Sequence, residues 1–155
     1  MHTDLYPKGH SLAEPLIRRF SPFFGTNTLA RIRVVSLKEI PNPPFYSVLI
    51  GRGQQIPLDF TQMAGITFLD TVLISEKEAE LSEPGLTSLL FHEAVHVVQY
   101  EHLGLEQFMQ EYVMGWANNG FEYPNIPFEQ QAYALQDRFL ENPSVVFSVH
   151  DEVRR

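Results

Sequence analysis

The order of apolar and polar residues predicts different structure in the two halves of the chain. Early in the first half, the capping sequence Ser11-Leu12-Ala13-Glu14 predicts a helix that ends near residues 21–22. Short runs of β-branched and apolar residues follow, separated by Pro and Gly, and such runs are typical of strands. They predict strands at residues 31–37 and 45–50, and interrupted strand structure over residues 54–74 that ends in the runs 64–69 and 71–74.

The second half has the periodicity of helices. After an acidic connector at residues 76–83, Pro84 suits the first turn of a long helix that continues to residues 102–103 and is stopped by Gly104. Apolar residues at helical spacing then predict a second helix with one buried stripe. The stripe consists of Leu105, Phe108, Met109, Tyr112, Val113 and Trp116. With a third helix expected at residues 128–140, the predicted class is α+β, with strands first and helices second.

Composition sets the size of the fold and the kind of metal site that is possible. A chain of 155 residues, 44% hydrophobic and 12% aromatic, can bury a core without disulfides. We expect a single domain over residues 1–155, with an N-terminal subdomain at about 1–103, a C-terminal subdomain at about 104–155 and a metal cleft between them. The chain has no cysteine, so any metal must be held by histidine, carboxylate or water.

The net charge of −8 lies entirely in the second half, because residues 1–80 carry eight basic and eight acidic side chains. Such a surface repels phosphate backbones, so nucleic-acid binding is not expected. No apolar run reaches the length of a membrane span, so no membrane partner is expected either. The first residues lack the apolar segment of a secretory signal, which predicts a cytoplasmic protein.

One motif carries candidate chemistry: His92-Glu93-Ala94-Val95-His96, a His-Glu-x-x-His sequence inside the long predicted helix. Residues four apart lie one turn apart on the same helix face, so the two imidazoles can reach one metal ion. Glu93 points about 100° away from His92, where it can take a proton from an attacking water. Apolar residues on both sides predict that the motif is buried, and buried His and Glu side chains need partners such as a metal.

Two residues compete for the place of the third protein ligand. His102 completes a His-x3-His-x5-His spacing, but that pattern needs glycine where this chain has Gln99, so the helix is expected to continue and to turn His102 away. Glu129 lies in the first turn of the separate helix after Pro127, and the small side chain of Ala132 allows that helix to approach. Four other glutamates fit less well by position: Glu101, Glu106, Glu111 and Glu122.

The sequence HEAVH, followed by a helix that reads PFEQQAY, resembles the gluzincin metallopeptidases, and the small size points to their minimal form, the minigluzincins. The resemblance covers roughly residues 60–140. It implies a zincin-like fold in which His92, His96 and Glu129 hold Zn²⁺ while Glu93 acts as general base and acid.

The same resemblance implies that residues 64–69 form an edge strand that holds an extended substrate above the metal. We therefore predict substrate contacts at Gly65, Ile66 and Thr67, and a strand edge can bind any peptide backbone by β-addition. Several gluzincins have an aspartate four residues after the glutamate ligand, where this chain has Tyr133. The phenol of Tyr133 can accept from an imidazole N–H and is also predicted to contact substrate. Candidates for the group that stabilises the oxyanion are Tyr123, Tyr133, Arg138 and His150.

The predicted function is a zinc-dependent peptidase that acts on peptide or protein substrates. The sequence leaves the oligomeric state open, and a monomer is compatible with it. The alternative is a non-catalytic, zincin-like metal-binding module used for binding or regulation, although such a module has no need of Glu93.

The C-terminal tail carries a separate prediction, because β-branched and aromatic residues at 145–149 favour an extended segment. It either occupies the cleft by pairing near residues 64–69, which would make the chain self-inhibited, or packs as a strand elsewhere or frays.

Overall fold

The computed structural model describes residues 2–43, 46–53 and 58–155. Over these ranges the fold is mixed α+β, with a three-stranded sheet, a long helix and further C-terminal helices, which confirms the predicted class. The strands are β1 (Arg33–Leu37), β2 (Gly65–Phe68) and β3 (Thr71–Ser75). The helices are α1 (His2–Leu5), α2 (Glu14–Phe24), α3 (Thr26–Arg31), α4 (Tyr46–Gly51), α5 (Glu83–Asn118), α6 (Pro127–Glu141) and α7 (Val149–Arg154).

The sheet has the order β1-β3-β2, with β1 parallel and β2 antiparallel to the central strand β3. Every residue of β3 is buried, as expected of a strand covered on both faces. In β2, Gly65 and Thr67 are buried towards α5, while Ile66 and Phe68 pack into a small apolar cluster with Leu73. The strands predicted at 31–37, 64–69 and 71–74 are confirmed, and β2 lies at an edge of the sheet.

Two predictions about the first half are wrong. The predicted strand at 45–50 is helix α4, in which Tyr46 is buried while Val48 and Ile50 are exposed, so a short apolar run does not distinguish the two structures. Phe45 and residues 54–57 of the predicted strand material lie outside the described residues. The predicted capping sequence does not cap α2 either, since Ala13 occupies the N-cap without a side-chain bond.

Helix α2 continues through Pro22 to Phe24, beyond its predicted end. Pro22 has no N–H for the carbonyl of Arg18, but the hydroxyl of Ser21 donates to that carbonyl at 3.3 Å. The extension adds Phe23 and Phe24 to Phe20 in the main core. There they meet Phe91 of α5 and Phe139 of α6, whose rings stack with centroids 4.3 Å apart. This aromatic core therefore joins α5, one residue before His92, to α6.

Helix α5 is interrupted at Gly104, whose φ of 75° and ψ of 166° are not helical, as the predicted stop requires. The predicted buried stripe beyond it is wrong at three of its six positions. Phe108 is buried and Tyr112 and Trp116 are half-buried. Three other members are exposed: Leu105 by 49%, Met109 by 39% and Val113 by 52%. The apolar periodicity identifies the helix, but much of the stripe faces an open cleft instead of a packed core.

The C-terminal tail packs away from β2. Residues 145–148 form no strand, and helix α7 begins at Val149 with Ser148 as its N-cap, accepting from the Asp151 N–H at 3.2 Å. Phe147 and Val149 are buried in the main core, and Nε2 of His150 lies 3.0 Å from the carbonyl oxygen of Phe24. The prediction of an extended tail in the cleft is thus wrong, because Phe147 and Val149 anchor the tail against α2 and α5.

Among the described residues, no helix has both the length and the apolar character to cross a bilayer.

Candidate metal centre

Helices α5 and α6 bring together His92, His96 and Glu129, all three buried. Nε2 of His92 lies 3.0 Å from Oε2 of Glu129, and Nε2 of His96 lies 3.3 Å from Oε1 of the same carboxylate. The two Nε2 atoms are 3.1 Å apart. The one-turn spacing of the histidines on α5 and the position of Glu129 in the first turn of α6 produce this triangle.

The triangle has the dimensions of a site for a small divalent cation. Ligand atoms about 2.0–2.1 Å from a tetrahedral Zn²⁺ lie about 3.3 Å from one another. The two nitrogen–oxygen separations, which reach different oxygens of Glu129, are 3.0 and 3.3 Å, and the nitrogen–nitrogen separation is 3.1 Å, all close to this value. Two imidazoles and one carboxylate also leave a fourth tetrahedral position for water or substrate, as in catalytic zinc sites. The cluster can therefore hold a metal ion.

Two glutamines orient the imidazole rings. Oε1 of Gln99 lies 2.7 Å from Nδ1 of His96, and Oε1 of Gln136 lies 3.1 Å from Nδ1 of His92. An amide oxygen can only accept, so each Nδ1 carries a proton and each Nε2 faces the centre of the cluster. The amide nitrogen of Gln99 donates in turn to the carbonyl of Phe128 at 3.1 Å. Both rings are thus oriented with Nε2, the nitrogen that a metal would bind, towards the cluster.

The Glu129 carboxylate has its own support. The hydroxyl of Tyr112, on the second segment of α5, donates to Oε1 of Glu129 at 2.8 Å. Burial raises the pKa of Tyr112, as does the neighbouring Glu129 carboxylate, so the phenol keeps its proton. Burial opposes the charge on Glu129, but the adjacent His96 outweighs it and lowers the pKa of the carboxyl well below its usual range. Glu129 is therefore a carboxylate at neutral pH.

The same pair changes the basicity of His96. Burial alone lowers the pKa of His96, but the Glu129 carboxylate beside the ring raises it to about 9. Without a metal, the imidazole of His96 is protonated at neutral pH and forms an ion pair with the carboxylate. This proton occupies the position that a cation would take, so proton and metal compete for one site.

Glu93 lies beside the cluster, under strand β2. Its Oε2 accepts from the hydroxyl of Thr67 at 2.7 Å, and burial raises the pKa of its carboxyl. Gly65 is so close that a Cβ at that position would lie 2.8 Å from Oε1 of Glu93. The predicted substrate residues Gly65 and Thr67 therefore face Glu93 with their side-chain positions, while Ile66 points to the opposite face of β2.

Tyr133 lies at the cluster but does not accept from His92 in the way we expect from the sequence. Its ring packs against the His92 ring with centroids 4.4 Å apart, and Gln136 provides the acceptor instead. The reason is geometric: Gln136 is seven residues, or two helical turns, after Glu129, so both side chains face α5. Neither glutamine was found from the sequence, although the spacings His96–Gln99 and Glu129–Gln136 are a possible signal.

The structure does not bring the other candidates into the cluster. His102 is exposed, with its ring against that of His150. Glu101 forms an ion pair with Arg31, and the remaining three glutamates are exposed: Glu106, Glu111 and Glu122. Of the four oxyanion candidates, Arg138 pairs with Glu152 at 3.4 Å and His150 contacts Phe24, which leaves Tyr123 and Tyr133 near the metal ligands.

Two clefts meet at Glu93. The first, which we call the amino-terminal cleft, has a volume of about 820 Å³ and is lined by Gly65, Pro84, Gly85, Leu89 and Glu93, among others. The second, which we call the apolar cleft, has a volume of about 470 Å³. It is lined by Phe60, Phe68, Phe108, Met109, Val113 and Trp116, together with Glu93 and two of the cluster residues, His96 and Glu129.

The chain was compared with models of known protein families, with curated proteins and with solved structures, and it matches none of them.

Proposed function

We propose that this protein is a zinc-dependent peptidase of the gluzincin kind. The observation that carries the proposal is the buried triangle of His92, His96 and Glu129, with Glu93 immediately beside it and a sheet edge above it. A purely structural site would have its coordination closed by four protein ligands, whereas the described residues offer three. His92, His96 and Glu129 would hold the ion, which when bound supplies a Lewis acid that polarises a peptide carbonyl.

Glu93 is the proposed general base and acid. Its Oε2 is engaged by the Thr67 hydroxyl, which leaves Oε1 to receive a proton from the attacking water and to pass it to the leaving amine. Burial raises the pKa of Glu93, and a raised pKa makes the carboxylate a better proton acceptor. Thr67 restricts the rotation of the carboxylate and keeps Oε1 in one position.

The substrate would lie along β2. In the described part of the chain, no strand pairs with the outer edge of β2. All four residues of β2 border the apolar cleft, and Gly65 also borders the amino-terminal cleft. A peptide added to this edge has its backbone fixed by main-chain hydrogen bonds and can send side chains into the clefts. Tyr123 borders both clefts, and burial raises its pKa, so its phenol stays protonated and is our candidate donor to the developing oxyanion.

The test is hydrolysis of a mixed peptide library, read by mass spectrometry, with the zinc-loaded protein, the chelated protein and the chelated protein reloaded with zinc. We expect cleavage that chelation abolishes and zinc restores. A protein that binds zinc stoichiometrically but cleaves nothing would support the alternative, a non-catalytic metal-binding module. One observation favours that alternative: the side chain of Glu93 is almost fully buried beneath β2.

A further inference from the structure

Five of the six residues of the helical stripe that the sequence predicts to be core, all but Leu105, line the apolar cleft. Beyond Gly104, α5 turns its apolar side towards β2 across an open space, and the cleft is what remains between them. Val113 is 52% exposed and Met109 is 39% exposed. No Lys or Arg belongs to the described lining of this cleft, and its charged groups are the metal-site residues Glu93, His96 and Glu129.

The walls of the apolar cleft are fixed by contacts between its lining residues and by one contact to Phe121 outside it. Phe108 stacks on Tyr100 with ring centroids 3.8 Å apart, which holds the second segment of α5 against the first. Tyr112 is held by its 2.8 Å hydrogen bond to Glu129, and Trp116 packs edge-on against Phe121 at 4.9 Å. A preformed apolar space binds an apolar group without the cost of ordering its own walls.

We propose that the apolar cleft is the specificity pocket of this enzyme and binds a large apolar side chain of the peptide substrate, an inference that rests on the proposed function. The occupant is identified by continuity with the metal centre, because Glu93, His96 and Glu129 are part of the lining of the cleft. A side chain in the cleft therefore belongs to a residue at or next to the bond that is cleaved. Aromatic walls favour an aromatic or long aliphatic group.

The direction of β2 predicts on which side of the cleaved bond this residue lies. Gly65, at the start of β2, borders both clefts, whereas Phe68, at its end, borders only the apolar cleft. Antiparallel pairing is somewhat more stable than parallel pairing, so we expect the substrate to run from Phe68 towards Gly65. Its amino-terminal part then lies at the apolar cleft, and the apolar residue precedes the cleaved bond.

Binding can be measured without catalysis because Trp116 is the only tryptophan of the chain and lines the apolar cleft. The probe is the blocked peptide acetyl-Ala-Ala-Phe-Ala-Ala-Ala-amide, titrated into the chelated full-length protein while tryptophan fluorescence is recorded. The comparison peptide has alanine in place of phenylalanine. We expect Kd for the phenylalanine peptide to be lower by about tenfold or more, as for the burial of one large apolar side chain.

Two substitutions on one helix distinguish the effect of a charge inside the apolar cleft from the effect of a charge on the neighbouring surface. Val113→Asp introduces a charge into the apolar cleft at an exposed position, where folding is little affected. Met114→Asp changes the next residue, 51% exposed and outside the cleft lining, and is the matched control. We expect Val113→Asp to abolish the preference for phenylalanine over alanine and Met114→Asp to leave it at about tenfold.

The outcomes separate the inference from the proposed function. Zinc-dependent cleavage with no preference for apolar residues before the cut bond, or with the preference after it, overturns the inference and leaves the peptidase intact. A fluorescence preference that Val113→Asp removes, in a protein that cleaves nothing, supports the cleft and overturns the peptidase. Equal binding of both peptides also overturns the inference.

Discussion

The amide oxygen of Gln99 lies 2.7 Å from Nδ1 of His96, and the amide nitrogen of the same side chain donates to the Phe128 carbonyl, one residue before Glu129. A single fully buried side chain thus connects one metal-ligand candidate on α5 to the backbone that positions the other on α6. The separation between the two helices at the metal centre therefore depends on an amide, in addition to the stacked rings of the aromatic core.

Gln99→Leu should weaken zinc binding by about 10- to 100-fold, because the His96 ring loses the acceptor that fixes its tautomer. The measurement is competition with a chromophoric chelator at constant pH. Gln110→Leu, on an exposed position of the same helix, is the control and should leave the affinity unchanged. Equal zinc affinity in Gln99→Leu and the wild type would contradict the role of Gln99.

Replacing the two glutamates should separate catalysis from metal binding. Glu93→Gln should lower hydrolysis by at least about a hundredfold with zinc content unchanged, since Glu93 moves a proton and is not one of the three proposed ligands. Glu129→Ala should instead lower zinc affinity by more than the roughly 100-fold loss typical of a ligand's hydrogen-bonding partner. His102→Ala is the control for both measurements. Loss of zinc in Glu93→Gln would assign Glu93 to the metal.

Thr67→Val removes the hydroxyl that holds Oε2 of Glu93 and keeps the shape of the side chain. We expect kcat to fall by about 10- to 100-fold while zinc affinity stays constant, because the general base loses its fixed orientation. Thr67→Ser should restore most of the activity. Thr71→Val is the matched control in the same sheet: its buried Oγ1 has no partner in the described part of the chain, so its loss should not reduce kcat. Unchanged kcat in Thr67→Val would exclude the positioning role.

Gly104→Ala should destabilise the protein by about 1–3 kcal/mol, because few residues other than glycine adopt the backbone conformation found there. No atom lies within 4 Å of a Cβ built at this position, so the effect comes from the backbone and not from crowding. Urea unfolding measures it. Gly51→Ala, with equally open surroundings and no positive φ, is the control and should stay within about 0.5 kcal/mol of wild type. Similar free energies of unfolding for the two variants would contradict the prediction.

Zinc binding should release a proton. In the metal-free protein, burial lowers the pKa of His96 but the Glu129 carboxylate raises it to about 9, so His96 is protonated at pH 7 and must lose its proton to become a ligand. The affinity should therefore rise with pH by about tenfold per unit until about pH 9, then level off. Calorimetry in buffers of different ionisation enthalpy counts the protons. Absence of proton release at pH 7 would mean that His96 is already neutral in the metal-free protein.

The sequence contains much of the fold but only part of the site. Helical periodicity is sufficient to locate α5 and α6, and the four-residue spacing of His92 and His96 predicts their common face. Whether an apolar helix face is buried depends on which other elements pack against it. The apolar stripe therefore could not predict that Val113 is exposed. For the same reason the buried tail residue Phe147 was assigned to an extended segment, since its contacts lie more than fifty residues away on α2 and α5.

The glutamine partners of the two histidines have a consequence for the electronic character of a bound ion. A carboxylate that accepts from Nδ1–H pushes electron density into the ring and makes the ligand nitrogen a stronger donor. The amide oxygens of Gln99 and Gln136 are neutral and push less. A cation bound here would keep more of its positive charge than one whose histidines are backed by aspartate. The centre would thus bind the ion less tightly, and the bound ion would withdraw electrons from a bound carbonyl more strongly.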